Sequence, residues 1–172
     1  MENNSRALIT IYIFTYSNLK TLTSAFQILQ NILKRYEYYE RFLNYPGDWG
    51  ERAFRGWLIY DLFHDFLKWP IKNIVFGERF DVLLVNNEIK PIINIETKKP
   101  GRGLSEYDAF KKRLSDYQTL YYALLTDGKD WMLLNCLDKS EIFYKIGESE
   151  EKFNFIIRPL LSKRYLSGEK TK

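Results

Sequence analysis

Two apolar runs, 81–85 and 90–98, restrict the fold of this chain more than any other feature of its sequence. The residues between them, Asn-Asn-Glu at 86–88, are typical of a turn, so the runs predict two strands joined as a hairpin. Asp81 begins the first run, and Glu96 lies near the end of the second. Because a hairpin brings the end of its second strand back beside the start of the first, the sequence predicts that these two carboxylates lie close together.

The second strand also carries a positive charge near its end. Side chains alternate between the two faces of a strand, so Glu96 and Lys98 share one face, and Thr97 points to the other with its carbonyl between them. Asp81 and Glu96 offer the hard oxygen ligands that Mg²⁺ binds, and Lys98 can orient a water or stabilise charge on a phosphate. This combination indicates metal-dependent phosphodiester hydrolysis. The alternative is a surface ion pair between Glu96 and Lys98 that contributes about 0–1 kcal/mol.

Hydrophobic periodicity predicts an α/β fold. Helices are predicted over 19–43, over about 49–69, and from Ser105, with Asp108 completing a capping box, through Leu124. Strands are predicted at 71–76, 80–85, 90–98, 131–134 and 141–146, and 151–161 is assigned to a helix. This order predicts a mixed sheet flanked by helices. The third helix lies between strands, so a strand after it is expected to run parallel to an earlier one.

The length of 172 residues suits one domain, which we divide into an N-terminal extension (1–45), a core (46–166) and a flexible tail (167–172). The 13 Tyr, 12 Phe and 4 Trp exclude a disordered chain, and a net charge of +4 is compatible with a nucleic-acid partner. The single cysteine, Cys136, forms no internal disulfide, which favours a cytoplasmic location. The apolar run 7–14 is too short to span a bilayer, so no membrane partner is expected.

Asp81, the tripeptide Glu-Thr-Lys at 96–98 and the order of elements resemble the PD-(D/E)xK nuclease superfamily. The closest similarity is to the nuclease domain of type I and fused type II restriction endonucleases. The helix that begins near Glu51 is similar to the helix preceding the sheet in that group. Gln118 and Tyr122 resemble its Q-x-x-x-Y motif, which lies on the helix after the catalytic strand.

Together, these residues and the resemblance imply a restriction-endonuclease-like mixed sheet with an additional N-terminal helical segment. They imply a deoxyribonuclease that depends on Mg²⁺, for which Mn²⁺ substitutes. The implied catalytic residues are Glu51, Asp81, Glu96, Lys98 and Gln118. The implied metal ligands are Asp81, Glu96 and the carbonyl of Thr97. The implied DNA contacts are Lys99, Arg102, Lys111 and Tyr122.

Several of these roles have alternatives. Glu51 equally fits an ordinary acidic residue in the first turn of a helix, where the helix dipole favours negative charge. Gln118 and Tyr122 also fit a polar helix flank. Each of the three cations among the DNA contacts, taken alone, fits a solvated surface charge.

The whole chain also fits a catalytically silent module of the same fold that binds nucleic acid or takes part in an assembly. RNA is a weaker alternative as substrate, because nothing in the sequence resembles a reader of the 2′-hydroxyl. A domain this small needs a second copy or a larger nuclease complex to cut both strands of a duplex. The amphipathic segment 19–43 is a candidate surface for a homodimer.

Overall fold

Six strands form one mixed sheet in the computed structural model, which describes residues 25–40, 49–114 and 119–166. In chain order the strands are β1 (Ile74–Phe76), β2 (Val82–Val85), β3 (Pro91–Thr97), β4 (Tyr122–Thr126), β5 (Asp130–Asn135) and β6 (Glu141–Lys145). They lie side by side in the same order. β3 and β4 are parallel, and the other neighbouring pairs are antiparallel. The predicted α/β architecture with a mixed sheet is therefore confirmed.

Helices cover both faces of this sheet. They are α1 (helical over 25–40), α2 (Trp49–Trp57), α3 (Tyr107–Arg113), α4 (Glu150–Ile157) and α5 (Lys163–Leu166). α2 continues as a π-helix over Leu58–Phe66, and 3₁₀ turns occur at Ile71–Asn73 and Arg158–Leu160. Among the helices of the described ranges, none combines the length and the apolar character that crossing a bilayer requires.

Side chains of β4 alternate between two separate cores. Leu124 belongs to the larger core, together with Leu29 of α1 and Phe54 of α2. Leu125, the next residue, belongs to a smaller core that includes Phe110 of α3. A strand that is buried on both faces has a continuous apolar sequence instead of an alternating one.

The predicted third helix is wrong at its end, because residues 122–124, which were assigned to it, belong to a strand. α3 ends at Arg113, and the apolar residues from Tyr122 onward form β4. Periodicity alone does not distinguish a short apolar run in a buried strand from one face of a helix. Pairing with β3 on one side and with β5 on the other selects the strand.

Two smaller expectations are also wrong. Ser105 does not cap α3, because the residue preceding this helix is Glu106, whose side chain makes no capping hydrogen bond. Residues 71–73, assigned to the first strand, form a 3₁₀ turn. The expectation that a strand after the third helix runs parallel to an earlier one is confirmed, because β4 pairs in parallel with β3. The strand predicted at 131–134 belongs to β5, which is antiparallel to β4.

α1 is an integral part of the larger core. Leu29 and Ile32 are fully buried and pack in the same cluster as residues of the sheet. In the described part of the candidate dimer segment 19–43, residues 25–40, the apolar face is therefore covered by the chain's own core. The predicted tail (167–172) and the rest of the N-terminal extension, apart from 25–40, lie outside the described residues.

The turn between β4 and β5 packs tightly against the first two helices. Gly128 has a φ of +83°, and a Cβ atom there would lie 2.8 Å from the Phe54 ring and 2.9 Å from Leu33 Cδ2. Glycine meets both the left-handed backbone conformation and the close contact. This contact places α2 against the end of β4, where Thr126 pairs with Thr97 of β3.

Candidate active site

The hairpin of β2 and β3 brings Asp81 beside the last residues of β3. Val82 pairs with Ile95, so Asp81 lies across from Glu96. The Oδ2 atom of Asp81 accepts hydrogen bonds from the Thr97 backbone N–H at 2.7 Å and from the Thr97 hydroxyl at 2.8 Å. The two carboxylates therefore lie at the same end of the sheet, as the sequence predicts.

Lys98 follows β3 directly and contacts two acidic side chains. Its backbone N–H donates to the carbonyl of Thr126 at 2.8 Å, which continues the bonding between β3 and β4. Its ammonium lies 3.2 Å from Glu96 Oε1 and 2.8 Å from Glu106 Oε2. Burial by itself would lower the pKa of Lys98, but the hydrogen bonds with Glu106 and Glu96 outweigh burial and raise this pKa. Lys98 is thus held as a cation, which suits charge stabilisation better than proton abstraction.

α2 adds a third carboxylate and an arginine to this end of the sheet. Glu51 and Arg55 are four residues apart on one helix and face the same way. A terminal nitrogen of Arg55 lies 2.9 Å from Glu51 Oε1 and 2.9 Å from Asp81 Oδ1, and its Nε donates to the Thr97 hydroxyl at 3.0 Å. Arg55 has no role in the sequence-based prediction, although its spacing from Glu51 is a signal that could have identified it.

The carboxylates of this site act on one another electrostatically. Burial raises the pKa of Glu96, and the negative charge of Asp81 raises it further, against the opposing effects of Lys98 and Arg113. Burial and then Asp81 raise the pKa of Glu51 in the same way, again against nearby cations. Negative charge is therefore costly at this end of the sheet despite its cationic neighbours.

The cation that α3 contributes is Arg113 and not Lys111. A terminal nitrogen of Arg113 lies 2.8 Å from Glu96 Oε1. Lys111 instead lies 2.6 Å from Glu141 Oε1 of the edge strand β6 and donates to the Tyr107 hydroxyl at 3.1 Å. Residues two apart on a helix point in different directions, so the structure does not bring the predicted DNA contact Lys111 to the carboxylates.

Tyr122 does not lie on the helix that the motif Gln118–Tyr122 implies. It pairs with Ile93, whereas Leu125, three residues later, pairs with Glu96. Three residues of strand span about 10 Å, so Tyr122 is well separated from the carboxylates. Gln118 lies outside the described residues.

The loop after β3 is anchored by Asp127, a buried carboxylate that the sequence-based prediction did not single out. Its Oδ2 atom accepts hydrogen bonds from the backbone N–H groups of Gly101 at 3.0 Å and Gly103 at 2.7 Å. Its Oδ1 atom accepts from the N–H groups of residues 129 and 130 at 2.9 and 2.7 Å. Asp127 therefore links its own turn to the loop after β3, which carries two of the predicted DNA contacts.

Those two contacts are Lys99 and Arg102. The backbone N–H of Arg102 donates to the Lys99 carbonyl at 3.1 Å within the loop. The hydrogen bond with Lys98 lowers the pKa of Glu106, and the charge of Arg102 lowers it further. Arg102 thus lies near Glu106, which pairs with Lys98 at the border of the site.

The oxygen atoms of this site suit Mg²⁺ in kind. Asp81 and Glu96 supply hard carboxylate oxygens, and an added cation would offset the effects of burial and of the Asp81 charge, which together raise the pKa of Glu96. Within the described ranges, however, no three His, Cys, Asp or Glu side chains are gathered as a metal-binding group. Arg55 bridges Glu51 to Asp81. Asp81 and Glu96 are therefore the candidate ligands by their chemistry, although Arg55 already pairs with Asp81 as well as with Glu51.

Comparisons with protein-family models, curated proteins and solved structures gave no significant match. The case for a function therefore rests on the geometry of Glu51, Asp81, Glu96 and Lys98.

Proposed function

We propose that this protein is an Mg²⁺-dependent deoxyribonuclease with a restriction-endonuclease-like core and a PD-(D/E)xK active site. The observation that carries the proposal is the position of Asp81, the residue before β2, across from Glu96 of β3, with the Lys98 ammonium 3.2 Å from Glu96 Oε1. Glu51 on α2 supports it as a third carboxylate at the same end of the sheet.

Each side chain has its own part in the proposed hydrolysis. Asp81 and Glu96, with the Thr97 carbonyl, supply oxygen ligands for Mg²⁺, and the Thr97 hydroxyl and N–H orient Asp81. When bound, Mg²⁺ polarises the phosphoryl oxygen and lowers the pKa of its water. Lys98 orients the attacking water or stabilises charge on the phosphate. Arg113 supplies a further positive charge beside Glu96.

DNA is the proposed substrate because cations surround the carboxylates. Lys99 and Arg102 lie on the anchored loop after β3, and contacts from such side chains to phosphates position a nucleic acid without reading its sequence. One site cuts one strand, so cleavage of a duplex is proposed to use a second copy of the chain or a larger complex. We propose the cytoplasm as its location because its single cysteine suits a reducing compartment.

Cleavage by the purified protein tests the proposal. We expect it to cut plasmid or single-stranded DNA with Mg²⁺ or Mn²⁺ and to lose this activity with EDTA. Glu96→Gln and Lys98→Met should each reduce the rate by about a hundredfold or more, because the first weakens a proposed Mg²⁺ ligand and the second removes positive charge from beside the phosphate. Glu88→Gln, in the exposed turn between β2 and β3, is the matched control and should leave the rate unchanged. Full activity in Glu96→Gln, or cleavage indifferent to EDTA, would refute the proposal.

The second candidate is a catalytically silent nucleic-acid-binding module. It is favoured by the ion pairs of Arg55 with Asp81 and of Arg113 with Glu96, which already give each carboxylate a cation. For such a module, DNA binding should not change when Mg²⁺ is added. Calorimetric titration with Mn²⁺ separates the two functions, since heat that disappears in Asp81→Ala supports the nuclease.

A further inference from the structure

Arg55 contacts three groups of the site at once. One terminal nitrogen lies 2.9 Å from a carboxylate oxygen of Glu51 and 2.9 Å from one of Asp81, and Nε donates to the Thr97 hydroxyl at 3.0 Å. The side chain is 19% exposed, so these contacts are largely shielded from water. A planar guanidinium held at two edges in this way is well oriented.

The contacts of Arg55 form a closed network. The Thr97 hydroxyl accepts from Arg55 and donates to Asp81 Oδ2 at 2.8 Å, while Asp81 Oδ1 meets the guanidinium directly. Both oxygens of Asp81 are therefore engaged. The Arg55 guanidinium is a single cation that pairs with the carboxylates of both Glu51 and Asp81.

We infer that Arg55 is a built-in competitor of the divalent cation, which binds Asp81 only when the guanidinium withdraws. The inference rests on the proposed function for the existence of a metal site. A divalent ion and an arginine bound to the same carboxylate repel each other. To bind the metal, Asp81 Oδ1 also has to give up its ion pair with Arg55. Arg55 then sets how readily the site accepts a metal.

Arg55→Gln tests this competition by calorimetric titration with Mn²⁺. It removes the charge and should tighten Mn²⁺ binding about tenfold, the effect of 1.4 kcal/mol. Arg52→Gln is the matched control, because Arg52 is an exposed arginine on the same helix, and it should bind Mn²⁺ as the unaltered protein does. In the double variant Arg55→Gln with Asp81→Ala, the gain should disappear. A purely structural role for Arg55 would lower the melting temperature without tightening Mn²⁺ binding.

A measurement on the unaltered protein covers the case in which Arg55→Gln does not fold. The Nε–H group of Arg55 gives an NMR signal that reports its hydrogen bond with Thr97. Titration with Mg²⁺ should shift this signal and speed its exchange with water as the guanidinium withdraws. An unchanged signal at Mg²⁺ saturation overturns the inference, and so does equal or weaker Mn²⁺ binding by Arg55→Gln.

Cleavage assays on the same samples separate this inference from the proposed function. Tighter Mn²⁺ binding by Arg55→Gln, with no cleavage by any variant, supports the competition and refutes the nuclease. EDTA-sensitive cleavage by the unaltered protein, with no gain of affinity in Arg55→Gln, supports the nuclease and refutes the competition. Absence of Mn²⁺ binding in every variant refutes the inference.

Discussion

Thr97 organises the candidate site although its neighbours carry the charges. It is fully buried and points away from the face shared by Glu96 and Lys98. Its N–H and hydroxyl both donate to Asp81, and its hydroxyl also accepts from Arg55. One residue thus ties the end of β3 to the residue before β2 and to α2.

The raised pKa of Glu96 predicts a pH-dependent effect of Glu96→Gln on stability. Because its folded pKa exceeds the unfolded value, Glu96 contributes stability below the ordinary glutamate pKa of 4.5, and this contribution is lost as the pH rises through the raised value. Glutamine does not titrate. The free energy of unfolding of Glu96→Gln relative to the unaltered protein should therefore increase across that range, as measured by urea denaturation at pH 4 to 8.

Glu88 provides a control in which the pKa is lowered, so its effect on stability should change with pH in the opposite direction. The hydrogen bond from Lys90 lowers the pKa of this exposed carboxyl, so its contribution is present above the ordinary pKa and lost in acid. The free energy of unfolding of Glu88→Gln relative to the unaltered protein should therefore decrease as the pH rises. The decrease should be small because Glu88 and Lys90 are both well exposed to solvent. A relative stability of Glu96→Gln that falls with rising pH would contradict our account of the site.

At the scale of elements, the turn between β4 and β5 supports the loop after β3. Asp127 accepts hydrogen bonds from four backbone N–H groups, two in its own turn and two at Gly101 and Gly103. Because β3 and β4 are parallel, their ends lie side by side, so a residue after β4 can hold the loop after β3. The neighbouring turn therefore helps to order this loop, in addition to the loop's own hydrogen bond between Arg102 and Lys99.

Asp127→Asn should loosen this loop. An amide has one acceptor oxygen, so its nitrogen would face backbone donors that need an acceptor, at a cost of about 1–3 kcal/mol. We expect a lower free energy of unfolding and faster amide hydrogen exchange at Gly101 and Gly103. Asp130→Asn is the control, because Asp127 bonds the backbone of Asp130 and not its side chain. Unchanged exchange at both glycines in Asp127→Asn would contradict the anchoring role.

At the scale of the whole molecule, the first described helix and the sheet share one hydrophobic core. Leu29 and Ile32 of α1 cluster with Phe54 of α2 and with Ile93 of β3. The close approach of Gly128 to Leu33 and Phe54 adds a second contact between these helices and the sheet. Residues 25–40 therefore belong to the folded core, although the sequence assigned them to an extension.

Leu29→Ala measures how far α1 contributes to this core. Deleting most of a fully buried leucine side chain should lower the free energy of unfolding by about 2–5 kcal/mol in a single transition. Gln30→Ala, at the exposed neighbouring position, should change it by less than about 0.5 kcal/mol. Denaturation followed by circular dichroism checks both values. An unchanged transition in Leu29→Ala would mean that α1 is dispensable to the sheet.

The sequence by itself determined the hairpin and its pair of carboxylates, because both depend on local pattern. Asn86 stabilises the turn by accepting from the N–H groups of residues 88 and 90 at 2.9 and 3.0 Å. The register shifts between Leu84 and Val85, and beyond this irregularity the pairing of the buried strands brings Asp81 to Glu96. Asp81 and Glu96 are only 15 residues apart along the chain.

Only the tertiary structure decided the positions of Arg55, Arg113 and Tyr122. Arg55 meets Thr97 across 42 residues because α2 packs beside the end of β3. The helix phase of α3 selects Arg113 and not Lys111 for Glu96. Tyr122 lies in a strand because β3 and β5 supply hydrogen bonds on both sides, which periodicity within a single segment cannot reveal.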